Sequence, residues 1–132
     1  MAGLRLGFAV GSAFDIEILK RALGPWAVAG PALQVGTQAL NDRVWHEQSR
    51  SRLANDSARL DKILASAGMA LVGGTPLYRL FRSDNAPSIY ERLGRAGIMV
   101  RKFDYDTTWL RFGLPGRDAD WDRLESALNF RS

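Results

Sequence analysis

Arg111 lies in the stretch TWLRFGLPG, residues 108–116, between a tryptophan and a glycine that share its side of the chain. Leu110, Phe112 and Leu114 alternate with the period of a strand that buries one face. The same alternation sends Trp109, Arg111 and Gly113 to the other face. A guanidinium there has two uses. It can lie in solvent with its stem packed on Trp109. Or it can hold an anion, because its planar fork matches a carboxylate or phosphate with two parallel hydrogen bonds, which an ammonium cannot do. Arg101, in the preceding candidate strand IMVRKF, poses the same choice between an anion contact and an exposed sheet edge. Arg111 is expected to project into the cleft between the sheet and the start of a long helix.

Little else in the chain carries chemistry of its own. There is no cysteine and a single histidine, so neither a thiol nucleophile nor a His/Cys zinc site is available. The nucleophile elbow of serine hydrolases and the phosphate loop of nucleotide hydrolases are both absent. Gly3, Gly7 and Gly11 recur every four residues, which is not the dinucleotide fingerprint. His46 follows Trp45 in a helical stretch, where a packing role outweighs a catalytic one because nothing nearby in sequence orients it. Asp104 and Asp106, in FDYDTT, read as a polar turn between strands in preference to a carboxylate pair.

The 132 residues are 46% hydrophobic and 24% charged, the composition of an ordinary globular domain with enough chain for a core. Of 18 basic residues only Lys20, Lys62 and Lys102 are lysine, and the net charge is +4. The arginines are interleaved with acids, as in DADWDRLE, which argues against a nucleic-acid partner. The uncharged run from Ala22 to Asn41 has the length of a membrane span, but two prolines, three glycines and several polar residues break it. The N-terminus has no secretory pattern. A cytoplasmic protein is expected, with no membrane partner.

These side chains need elements to position them. LRLGFAV reads as a strand, and DIEILKRAL as a helix that Asp15 could cap. GPWAVAGPA is a loop whose second Gly-Pro opens another helix. A long helix is expected from Asp42 to about Ala67, stopped by Gly68. MALVG, LYRLFR, IMVRKF and WLRFGL then read as strands. APSIYERLGRAG forms a helix between the second and third, and RDADWDRLESALNF, with Asp118 as a possible cap, a closing one. The order predicts an α+β fold: a mostly antiparallel sheet with helices on one face, preceded by a strand and a long helix.

Five stretches in this order, GLRLGFAVG, GPWAVAGPAL, GGTPLYRL, RLGRAGIMVRKF and WLRFGLPG, resemble the C-terminal part of fold-type I pyridoxal-phosphate enzymes. The resemblance runs from about Gly3 to Leu128. It is strongest to the histidinol-phosphate aminotransferase-like branch, and within it to the threonine-phosphate decarboxylases of cobalamin biosynthesis, which are lyases. It implies that residues 1–14 are the last strand of the cofactor domain and 15–132 the small C-terminal domain, with the helix at about 42–67 linking them. It also implies that Arg5 of GLRLG helps bind the cofactor phosphate, that Arg111 grips the substrate carboxylate and that Arg101 contacts the phosphate-bearing end of the substrate.

The departures count as much. The family's Schiff-base lysine lies further upstream of the phosphate-binding arginine than the four residues that precede Arg5 here. None of the three lysines stands in a matching place. The resemblance therefore implies pyridoxal 5'-phosphate in full-length relatives, with none covalently bound to this chain. It implies a phosphorylated amino acid as substrate of the full enzyme and a homo-oligomer, and leaves open whether this chain is an enzyme by itself. No catalytic residue is assigned to it. The expected function is a substrate-binding C-terminal fragment of such a decarboxylase or aminotransferase, inactive alone. The alternative is a stand-alone, non-catalytic domain with a binding or assembly role.

Overall fold

The computed structural model describes residues 2–129 and divides into two units, Met1–Glu47 and Gln48–Ser132. The first opens with a 3-10 turn over Ala2–Leu4, and Arg5 follows with a left-handed φ of 54°. The expected strand at LRLGFAV is therefore not present. A strand needs a neighbour for its backbone N–H and C=O groups, and no described residue of this unit supplies one. Helix α1 (Ala13–Leu23) is capped by Ser12, one turn before the expected Asp15: the Asp15 N–H donates to Ser12 Oγ at 3.2 Å, and that hydroxyl donates back to the Asp15 carboxylate at 2.6 Å. Helix α2 (Gly30–Asn41) opens at Gly30-Pro31 as expected. Its Gly36 is buried, and a Cβ there would run into the Leu6 side chain. Otherwise the unit buries little; Phe14, Ile18, Leu23 and Trp26 are exposed.

Helix α3 (Arg43–Ser66) crosses the boundary between the units. Asp42 accepts the Trp45 N–H at 2.9 Å and caps it. Gly68, with φ 79°, ends it where a glycine stop is expected, and the Met69 N–H returns to the Leu64 carbonyl at 3.1 Å.

The second unit is an α+β sandwich. Strands β1 (Ala70–Thr75), β2 (Tyr78–Arg82), β3 (Arg101–Lys102) and β4 (Trp109–Gly113) form an antiparallel sheet in the order β1-β2-β4-β3. The C-terminal half of α3, α4 (Ala86–Arg95) and α5 (Asp118–Leu128) supply the rest of the core. Leu60, Leu64, Ile89, Leu93, Trp121 and Leu124 meet Phe81, Leu110 and Phe112 of the sheet. The Phe81 and Phe112 rings meet edge to face at 6.3 Å. Each such large side chain contributes about 1.5–3 kcal/mol by burial.

Two expectations change here. IMVRKF yields only a two-residue strand, because Val100 turns into the core and Phe103 leaves for a cluster with Tyr105 and Trp109. Asp118 does not cap α5; Asp120, one turn into the helix, accepts the Arg117 N–H at 3.3 Å and the Arg117 side chain at 3.1 Å. Phe130 of the closing stretch lies outside the described residues.

On the core side, Arg79 of β2 donates Nε and Nη2 to the two Asp61 oxygens of α3, at 2.8 and 2.6 Å. Their side chains are 16% and 27% exposed, so solvent screens the pair little. This fork ties the helix to the strand beside Arg111's. Asp61→Ala strands a half-buried guanidinium and is expected to cost about 2 kcal/mol. Urea unfolding checks it: the midpoint falls with an unchanged slope. An unchanged midpoint would show that the pair only decorates the surface.

Candidate functional site

Register places the site. On β4, Leu110 lies opposite Phe81 and Phe112 opposite Arg79, on the side that faces the helices. Trp109, Arg111 and Gly113 therefore face away, as the alternation required. Arg111 lies between Leu80 of β2 and Arg101 of β3, each directly across from it. Two cationic side chains thus stand side by side on one face. Like charges directly opposite destabilise a sheet by about 0.2–1 kcal/mol. Among the described residues neither arginine has a carboxylate within ion-pairing distance, whereas Arg79, Arg117 and Arg123 do.

What surrounds the pair is aromatic. The Arg111 guanidinium carbon lies 4.6 Å from the Tyr78 ring centroid, and that of Arg101 lies 5.6 Å from Phe103. The Lys102 ammonium sits 5.3 Å from the Tyr90 ring centroid. Tyr78, Tyr90, Arg101, Lys102, Asp104 and Arg111 line an open groove of ≈ 650 Å³. Arg111 does not line the cavity bordered by α3. That second cavity, of ≈ 390 Å³, takes Arg52, Leu53 and Asp56 from the helix and shares only Tyr78 and Gly113 with the first. Leu80 and Arg101 flank it, and the groove opens on the β3 side.

The structure brings Arg101 and Arg111 together. Arg5 belongs to the other unit, where it is exposed. Asp104 and Asp106 do not form a carboxylate pair. Asp104 is exposed, while Asp106 accepts the Thr108 N–H at 2.9 Å and the Thr108 hydroxyl at 2.6 Å, as a turn residue does. These bonds, the hydroxyl's first, hold the Asp106 carboxyl below the ordinary aspartate range. The turn fixes the entry into β4 and hence the register of Arg111. His46 Nε2 lies 3.2 Å from the Leu40 carbonyl at the end of α2, and its ring packs edge-on to Trp45. That is a structural contact. Sequence reading missed Tyr78 as a neighbour of Arg111. The alternation of LYRLFR places it on the face of Leu80, but only the register sets it beside the arginine.

An α+β domain with a cationic, aromatic-walled groove is what the fold and the site define. The chain belongs to the family described as Aminotransferase class I and II, which matches residues 1–128. It is 39% identical over 128 residues to threonine-phosphate decarboxylase of Pseudomonas aeruginosa and 40% identical over 128 residues to that of a Sinorhizobium species. In each case 97% of this chain and 38% of the relative are covered. Histidinol-phosphate aminotransferase of Chromohalobacter salexigens is 30% identical over 135 residues, with the same coverage. A crystal structure of a putative aminotransferase from Burkholderia pseudomallei superposes with a TM-score of 0.80 at 25% identity, covering 97% of this chain and 40% of that one. The chain thus spans well under half the length of these relatives.

The family uses pyridoxal phosphate. The groove's donors suit an anion, with two guanidiniums and an ammonium against one carboxylate. No described residues cluster as a metal site, and no described helix is long and apolar enough to cross a membrane.

The Asp106 bonds carry a pH dependence with a definite sign. A carboxyl whose folded pKa is depressed stabilises the fold above its unfolded pKa, and that contribution is lost as pH falls through the folded value. Thr108→Val removes the larger cause. Wild type is expected to exceed the variant in stability near neutral pH, with the gap closing in acid. Urea midpoints across that range check this, and a gap independent of pH would contradict it.

Proposed function

We propose that this chain is the substrate-holding part of a pyridoxal-phosphate-dependent threonine-phosphate decarboxylase or closely related aminotransferase. In this reading Arg111 grips the substrate carboxylate, Arg101 meets its phosphate-bearing end and Arg5 contributes to the cofactor's phosphate site. The observation that carries it is the pair of guanidiniums opposed across β3 and β4 with no carboxylate partner among the described residues. A molecule bearing both a carboxylate and a phosphate neutralises both at once, and bidentate geometry selects arginine over lysine at each. The likeness to proteins named threonine-phosphate decarboxylase supports that choice of substrate. The proposal also includes a role in cobalamin biosynthesis in the cytoplasm. The groups that would attach the cofactor are not assigned to this chain, so it is expected to be inactive alone.

NMR titration with O-phospho-L-threonine tests the binding claim. Shifts are expected to centre on residues 109–113 and 101–102, with millimolar affinity, about 4 kcal/mol. Arg111→Lys keeps the charge but loses the fork, and should abolish most of the response. Equal binding by the lysine variant would reduce Arg111 to a surface charge.

The same reading includes a homo-oligomer. The exposed Phe14, Ile18, Leu23 and Trp26 of the first unit support association. Sedimentation equilibrium is expected to show a dimer or larger species, and monomer alone at high concentration would contradict it.

A further inference from the structure

We infer that Tyr78 is a positioning residue for Arg111: its ring is the shelf that holds the guanidinium plane ready for an anion. This rests on the reading of Arg111 as an anion holder. Tyr78 pairs with Gly113 and Leu80 with Arg111, so Tyr78 is the diagonal neighbour of Arg111 on the outer face. Aromatic and long side chains reach across that diagonal. They do so here, with the guanidinium carbon 4.6 Å from the ring centroid. Gly113, opposite Tyr78, carries no side chain to compete for the ring.

Core packing does not explain the ring, which belongs to a residue that is 48% exposed and outside the buried core. Its backbone, in contrast, is tightly held. Thr75 Oγ1 accepts the Leu77 and Tyr78 N–H groups at 3.2 and 3.3 Å. Gly74, with φ 154°, lets the other strand close on it: a Cβ at Gly74 would run into the Tyr78 carbonyl oxygen and come within 3.0 Å of the Arg79 Cα. A hairpin that fixes the backbone of a half-exposed tyrosine this closely fixes where its ring can lie.

The chemistry follows from the shape of the guanidinium. Its N–H groups lie in its own plane, so a ring against its face leaves all of them free to donate. The contact restricts the side chain before any anion arrives, and so reduces the ordering that binding would otherwise demand. Arg101, at 5.6 Å from Phe103, has the looser support. Anion affinity is therefore expected to depend on Tyr78 through its ring and not through its hydroxyl.

The test uses the 132-residue chain, inorganic phosphate as probe and two readouts. The first, without ligand, is the Arg111 Nε–Hε NMR signal, its ring-current shift and its order parameter. The second is phosphate affinity by titration. Tyr78→Phe should keep the shift, the order and the affinity. Tyr78→Leu, at an exposed position that the core does not need, should lose the shift and the order and bind about fivefold more weakly, the equivalent of about 1 kcal/mol. A leucine variant with wild-type affinity would overturn the positioning role while Arg111→Ala still abolished binding, leaving the anion reading intact. Loss of affinity in the phenylalanine variant would overturn it in favour of the hydroxyl. Absence of phosphate binding by the wild type would overturn the anion reading and this inference with it.

Discussion

Strand alternation at β4 is the constraint on which the rest depends. Leu110 and Phe112 are almost completely buried between the sheet and three helices. Moving the register by one residue would put both in water and Arg111 in the core, at a cost no single contact could offset. The core therefore decides which way the guanidinium faces. The Asp106–Thr108 turn before β4 and the Arg79–Asp61 fork on the neighbouring strand hold that register at its start and its flank.

With the register fixed, the outer face follows. Arg101 and Arg111 stand opposite each other because β3 pairs with β4 for only two residues, and those two include Arg101. This placement carries a local cost in like-charge repulsion. Stability alone gives no reason for it, since an uncharged residue at either position would remove the repulsion. An anion between the two forks turns the same repulsion into a source of affinity, because the unliganded face is the one left uncompensated. Aromatic rings beneath both guanidiniums fit that use better than a freely solvated surface.

The sheet face was legible from period alone: TWLRFGLPG separates its two sides without any knowledge of partners. So was the end of α3, because Gly68 takes the left-handed conformation that a helix stop asks for. What escaped depended on neighbours distant in sequence. LRLGFAV has the composition of a strand but no ladder to join in this unit, so it becomes a 3-10 turn and irregular chain. IMVRKF is cut to two residues because Val100 belongs to the core and Phe103 to an aromatic cluster. Ser12 took the capping place expected of Asp15, and Asp120, in the first turn after the cap at Arg117, accepts the Arg117 N–H in place of a cap at Asp118, because a cap is set by where the first turn begins. The pairing of Arg101 with Arg111, and the place of Tyr78 beside them, needed the strand register.

A crystal structure of the 132-residue chain grown with O-phospho-L-threonine tests the central claim most directly. The expected result is its carboxylate on the Arg111 guanidinium and its phosphate on that of Arg101, on the outer face of the sheet, with Arg111 still resting on Tyr78. The ligand bound only elsewhere, or the two arginines turned apart into solvent with nothing between them, would contradict it.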